Sequence, residues 1–158
     1  MKRTTAVIIL AAALAAAAWA QTITADKVPA PVKKAFLAKY AGISPVEWKI
    51  ASDKNYEAEF TIQGVETTVK YDPAGTWLET EPQIPMSEVP KPVLDALALK
   101  FKSYKIVETQ ALDMASDPQK IYEIHLNNGK DILKVLLYAD GTILKQSVKP
   151  KKADKEGK

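Results

Sequence analysis

Apolar and polar residues alternate along most of this chain, and a helical rhythm replaces that alternation twice. Val46, Trp48 and Ile50 alternate with Glu47 and Lys49. Tyr56, Ala58, Phe60 and Ile62 alternate with Glu57, Glu59 and Thr61, and Thr67, Val69 and Tyr71 with Glu66, Thr68 and Lys70. Such alternation predicts strands with one buried and one wet face, as in antiparallel meanders. Gln63-Gly64 turns the chain. Asp72-Pro73-Ala74-Gly75 is a second turn, where proline presets φ and glycine accepts positive φ. Thr76 to Glu81 follows as a fourth strand. Ahead of these strands, Val32, Ala35, Phe36, Lys39 and Tyr40 keep the spacing of a helix with one buried stripe. Asp26 or a neighbour offers a cap, prolines near the first turn lose no hydrogen bond, and Ala41-Gly42 ends the helix.

The same order then returns. Val28-Pro29-Ala30-Pro31-Val32 recurs as Val89-Pro90-Lys91-Pro92-Val93, 61 positions later. Tyr56-Glu57-Ala58-Glu59-Phe60 recurs as Tyr122-Glu123-Ile124-His125-Leu126, and Gly75-Thr76-Trp77-Leu78 as Gly141-Thr142-Ile143-Leu144, both 66 positions later. Val93, Ala96, Leu97, Lys100 and Phe101 repeat the helical stripe. A helix over 90–102 and strands near 105–112, 121–127, 131–138 and 142–148 follow. The growth in offset places a longer hairpin loop around Leu112 to Lys120, and Pro82 to Pro85 forms a short linker. A fixed order used twice reads as one supersecondary unit in tandem. The fold class is therefore α+β, with two tandem helix-plus-sheet repeats over 21–84 and 85–148.

Residues 1–20 stand apart from this pattern. Lys2 and Arg3 precede an alanine-rich apolar stretch, and Ala18-Trp19-Ala20 fits a signal peptidase site. The stretch is shorter than a comfortable membrane span, so no stable membrane anchor is expected after cleavage near Ala20. The chain without it is expected in the periplasm or beyond. The absence of cysteine leaves the core alone to hold the fold. The net charge of +3 comes partly from this leader and partly from the lysine-rich tail, 149–158, which reads as a solvated, disordered end. Arg3 is the sole arginine, which argues against nucleic-acid partners, since phosphate and base recognition lean on the arginine fork.

Candidate chemistry is sparse. His125 is the only histidine, and it falls on the Glu57/Glu123 side of its strand, where a solvated surface residue is expected. One histidine without cysteine offers no nucleophile–base set and no metal-ligand spacing. Glu57, Glu59, Glu79, Glu81 and Glu123 have the spacing of wet strand faces, and Asp72 and Asp140 that of turn residues. The reading is of a protein that is not an enzyme and uses no cofactor or metal. Aromatic and apolar positions carry more. Trp48 shares the phase of Val46 and Ile50 and belongs to the core. If Leu78 and Leu144 face the helices, Trp77 and Ile143 face the opposite side of the sheet. Strand 131–138 is apolar on both faces. At the gap-free offset Leu133, Val135 and Leu137 face the helix and Ile132, Lys134, Leu136 and Tyr138 line the open side; a one-residue slip reverses them.

The Val-Pro-x-x-Val-x-x-Ala-Phe helix, the Tyr-Glu-x-Glu-Phe strand and the Tyr-Asp-x-x-Gly-x-Trp-Leu-Glu-Thr-Glu hairpin at Tyr71 to Glu81 resemble the PepSY-like family, related to the β-lactamase-inhibitor-protein fold. The resemblance covers both repeats and departs most where Glu59 gives way to His125 and Asp72 to Tyr138. It implies a helix on a four-stranded antiparallel sheet, twice, with the sheets able to run on as one concave surface. It also implies binding or inhibition of another protein in the cell envelope. No family motif for β-lactamase contact can be placed on these residues. The expectation is an exported, non-catalytic protein-binding or inhibitory module whose open sheet face is centred on Trp77, Leu136, Tyr138 and Ile143. Its partner is an unidentified envelope protein, such as an enzyme that it inhibits, with a homodimer contact left open. The alternative is a carrier or sensor of a small apolar ligand.

Overall fold

The computed structural model describes residues 20–149. The expected leader and tail fall outside the described residues, apart from Ala20 and Lys149. Among the described residues, nine strands and two α-helices form the fold: β1 (Gln21–Ile23), α1 (Ala30–Lys39), β2 (Glu47–Ile50), β3 (Tyr56–Ile62), β4 (Val65–Tyr71), β5 (Trp77–Pro82), α2 (Lys91–Lys100), β6 (Lys105–Met114), β7 (Asp117–Asn127), β8 (Ile132–Tyr138) and β9 (Ile143–Lys149). The strands make one sheet in chain order, each pair antiparallel.

Both helices start on proline. Pro29 and Pro90 occupy the N-cap positions, and neither cap is closed by a side-chain hydrogen bond. Asp26 instead belongs to a short 3-10 turn, Ala25–Lys27, so it does not cap α1. α1 ends where the Tyr40 N–H donates to the Phe36 carbonyl. The expected loop around Leu112 to Lys120 is also corrected. β6 runs on to Met114 and β7 begins at Asp117, so the extra residues lengthen two paired strands. Pro82 ends β5, and Gln83 bridges to Gln110 of β6. The segment between the halves is thus part of the sheet junction. β1, which the alternation did not predict, pairs with β2 and covers that edge.

Both helices cover the same side of the sheet. α1 inserts Val32 and Phe36 into a core with Trp48, Ala58, Phe60, Val69 and Tyr71. α2 inserts Val93 and Leu97 against Ile124, Leu126, Leu133, Val135 and Leu137. The gap-free register of β8 is therefore the observed one. Phe36 meets the rings of Tyr40, Trp48 and Phe60 at 5.3, 5.3 and 5.2 Å, in the tilted and edge-on arrangements that aromatic pairs prefer.

Two glycine turns lock the helices to the sheet. Gly75 has φ +85°, and a Cβ there would lie 2.6 Å from the Pro31 carbonyl oxygen. Gly141 has φ +87°, and its Cβ would lie 2.6 Å from the Pro92 carbonyl oxygen. Each turn lies against the first turn of its own helix, so glycine is needed both for the dihedral and for the close approach.

Candidate functional site

The sheet face opposite the helices carries the side chains that alternation places outside the core. Pairing puts Lys49 beside Glu57, Glu57 beside Lys70, Lys70 beside Glu79, Gln110 beside Glu123 and His125 beside Lys134. Most of these charges are held in ion pairs. Lys70 Nζ lies 2.5 Å from Glu79 and 3.3 Å from Glu57, and Lys49 Nζ lies 2.5 Å from Glu59 and 3.2 Å from Glu47. Lys134 Nζ lies 2.7 Å from Glu123. His125 is clamped between two carboxylates, its Nδ1 2.6 Å from Glu108 and its Nε2 2.8 Å from Glu123.

Burial overturns the expectation of wet carboxylates and a surface histidine for three of these residues. Glu79, Glu123 and His125 are 7, 3 and 7 % exposed. Neighbouring long side chains on a nine-stranded surface cover one another, which short-range periodicity does not reveal. The electrostatics follow. Burial alone would lower the His125 pKa, but the bonds to Glu108 and Glu123 lift it to about 9. Burial would raise Glu123, yet His125 and Lys134 hold it below the ordinary carboxylate value. Glu81 goes the other way. Burial, then the neighbouring charges of Glu123 and Glu79, push it to about 8 despite Lys134 and Lys70.

His125 has both ring nitrogens committed, so it is an imidazolium that bridges β6 and β7 and has no free lone pair with which to act as a base. Among the described residues, no group of three or more histidine, aspartate or glutamate side chains is arranged to hold a metal.

The four predicted contact residues divide between the two faces. Leu136 is on the open face, opposite Glu123 and Lys145. Tyr138 is on the same face, and its hydroxyl donates to Asp117 at 2.6 Å. Trp77 and Ile143 are corrected: both pack against the helix-side clusters. A bulge in each hairpin is the reason. Lys70 pairs with Glu79 but Tyr71 pairs with Trp77, and Leu136 pairs with Lys145 but Leu137 pairs with Ile143. The extra residue, Leu78 or Leu144, shifts the phase by one and turns its predecessor inward. Trp77 then donates from Nε1 to Thr80 Oγ1 at 2.9 Å, with Lys39 Nζ 5.8 Å from its ring centre.

Alternation did not single out Leu112 and Ile121. They pair on the open face and are only 2 and 4 % exposed, forming an apolar floor beside Leu136 and Tyr138. A cleft of about 780 Å³ joins the halves at one end of this face, lined by Glu59, Thr68, Glu108 and Gln110 among others.

Solved structures share the fold. A protein from Bacteroides eggerthii described as "putative periplasmic" is 22% identical, with a TM-score of 0.66, covering 77% of this chain and 88% of that one. A DUF2874 family protein from Bacteroides uniformis is 22% identical, with a TM-score of 0.65 and coverage of 76% and 88%. A BLIP-like protein from Bacteroides fragilis is 18% identical, with a TM-score of 0.60 and coverage of 82% and 92%. No curated protein matches the chain. The model of the family described as "Putative beta-lactamase-inhibitor-like, PepSY-like" matches residues 54–145, and the chain belongs to that family.

Proposed function

We propose that this protein is an exported, non-catalytic module that binds, and through binding inhibits, another protein of the cell envelope with the open face of its sheet. One observation carries the reading: a charged network from β2 to β8 is prearranged on rigid strands, beside the apolar strip of Leu112, Ile121, Leu136 and Tyr138. Preformed ion pairs around apolar residues give an interface orientation and specificity, while the apolar centre supplies affinity. Two tandem copies of one helix-and-sheet unit, 21–84 and 85–148, account for the recurring motifs and double the width of the face. Export is supported by the leader-like residues 1–20 and by the description of the Bacteroides eggerthii neighbour. No helix among the described residues is long and apolar enough to cross a membrane.

Capture from an envelope extract tests this. The intact protein is compared with Leu136→Asp, which alters the open face, and with Leu99→Asp, which alters an exposed position on α2. A protein retained by the native chain and by Leu99→Asp, and lost from a folded Leu136→Asp, is the expected result. Equal retention by all three removes the open face as the binding surface.

A further inference from the structure

On the helix side of the sheet, a groove of about 700 Å³ lies between the end of α2 and the start of β6. Buried Leu97 and Leu126 form its floor, and half-buried Leu94, Phe101 and Ile106 its walls. The origin of the groove is visible in the other half. There the corresponding space is filled by the ring of Phe36 packed against those of Trp48 and Phe60. At the recurring offsets Leu97 stands for Phe36 and Leu126 for Phe60. Two rings of that cluster are thus replaced by leucines on the groove floor. At the rim, exposed Leu37 of α1 corresponds to Ala98 of α2, which leaves the mouth wider. Lys102 and Lys105 stand exposed at that mouth beside Tyr104, and among the described residues no acidic side chain lines the groove.

We propose that this groove binds one free long-chain carboxylic acid, its acyl chain along Leu94, Leu97, Phe101 and Leu126 and its carboxylate at Lys102 and Lys105. The volume lies within the range of small-molecule sites. Each methylene moved from water onto the leucine floor favours binding, and the two ammonium groups offer charge-assisted hydrogen bonds to an anionic head at the one polar end. The groove is on the opposite side of the sheet from the proposed protein-binding face, so the two proposals stand or fall separately.

The test is titration of the intact protein with cis-parinaric acid, read by its fluorescence, with palmitate, 1-hexadecanol and phosphatidylglycerol vesicles as competitors. Saturable binding at one site per chain, displaced by palmitate about tenfold more effectively than by the alcohol, is expected. Ala98→Trp narrows the mouth from an exposed helix position and weakens binding at least about tenfold. Leu37→Trp, the matching change on α1, leaves it unchanged. Lys102→Gln with Lys105→Gln removes the preference for acid over alcohol. Absence of saturable binding, or equal binding by the two tryptophan variants with folds verified by circular dichroism, overturns the site. Equal displacement by acid and alcohol overturns the role of the lysines. Displacement by vesicles but not by palmitate assigns the groove to a lipid surface and overturns the free acid.

Discussion

Substituting His125→Gln isolates the charge at the centre of the open face. The ring is 7 % exposed, with Glu108 2.6 Å from Nδ1 and Glu123 2.8 Å from Nε2. Both nitrogens must donate, so a neutral ring would turn one lone pair toward a carboxylate. Burial opposes the charge, the two carboxylates outweigh it, and the pKa rises from 6.5 to about 9. That rise corresponds to about 3 kcal/mol of folding free energy. The sign follows from the direction. A group with its folded pKa raised contributes its full stability below the unfolded value, 6.5, and loses it as pH climbs through about 9. Urea unfolding of both proteins between about pH 6 and about pH 10 reads this directly. At the acidic end the native chain is expected to be more stable than His125→Gln by about 3 kcal/mol, and the gap closes as pH rises past 9. A gap that stays constant across the range, or a ring ¹⁵N titration centred near 6.5, would refute the reasoning.

Three further outcomes follow from the same geometry. Glu81→Gln should stabilise the protein by at least about 1 kcal/mol near pH 8, because the raised carboxyl makes native stability fall between 4.5 and about 8; a less stable variant in urea contradicts this. Phe36→Ala removes a buried ring that touches three others and should cost about 3–5 kcal/mol, whereas a loss below about 1 kcal/mol would mean that the aromatic cluster repacks freely. Gly75→Ala should cost about 1–2 kcal/mol more than Gly64→Ala: both have positive φ, but only the first brings a Cβ against the Pro31 backbone. Equal melting temperatures for the two variants would exclude that clash.

The parts of the fold legible in the sequence are those set by local period. Val32 and Phe36 on α1, Trp48, Ala58 and Phe60 on the strands, and Leu133, Val135 and Leu137 on β8 lie in the core as their spacing predicts. The candidate site was less legible. Trp77 and Ile143 face the helices against the plain alternation because a bulge changes phase without changing residue type. The recurrence of Gly-Thr-aromatic-or-aliphatic-Leu in both hairpins was the only trace of it. The buried state of Glu79, Glu123 and His125 was hidden for a different reason. It depends on neighbours from β4 to β8 brought together by the whole sheet, and an alternating polar position looks the same whether water or another side chain covers it. Opposite charges at facing positions, such as Glu57 with Lys70, were the signal that pairing alone makes readable. The helix-side groove lies in the differences between the halves, Phe36 against Leu97 and Phe60 against Leu126, and the recurring motifs do not mark it.

Lysine footprinting of the intact protein in an envelope extract tests the central proposal most directly. Each lysine is reductively methylated with and without extract, and its modification is read by mass spectrometry. The account predicts slower modification of Lys145, exposed on the open face opposite Leu136, with Lys33, Lys91 and Lys100 on the helices unchanged. Protection of the helix lysines while Lys145 reacts as before would contradict it.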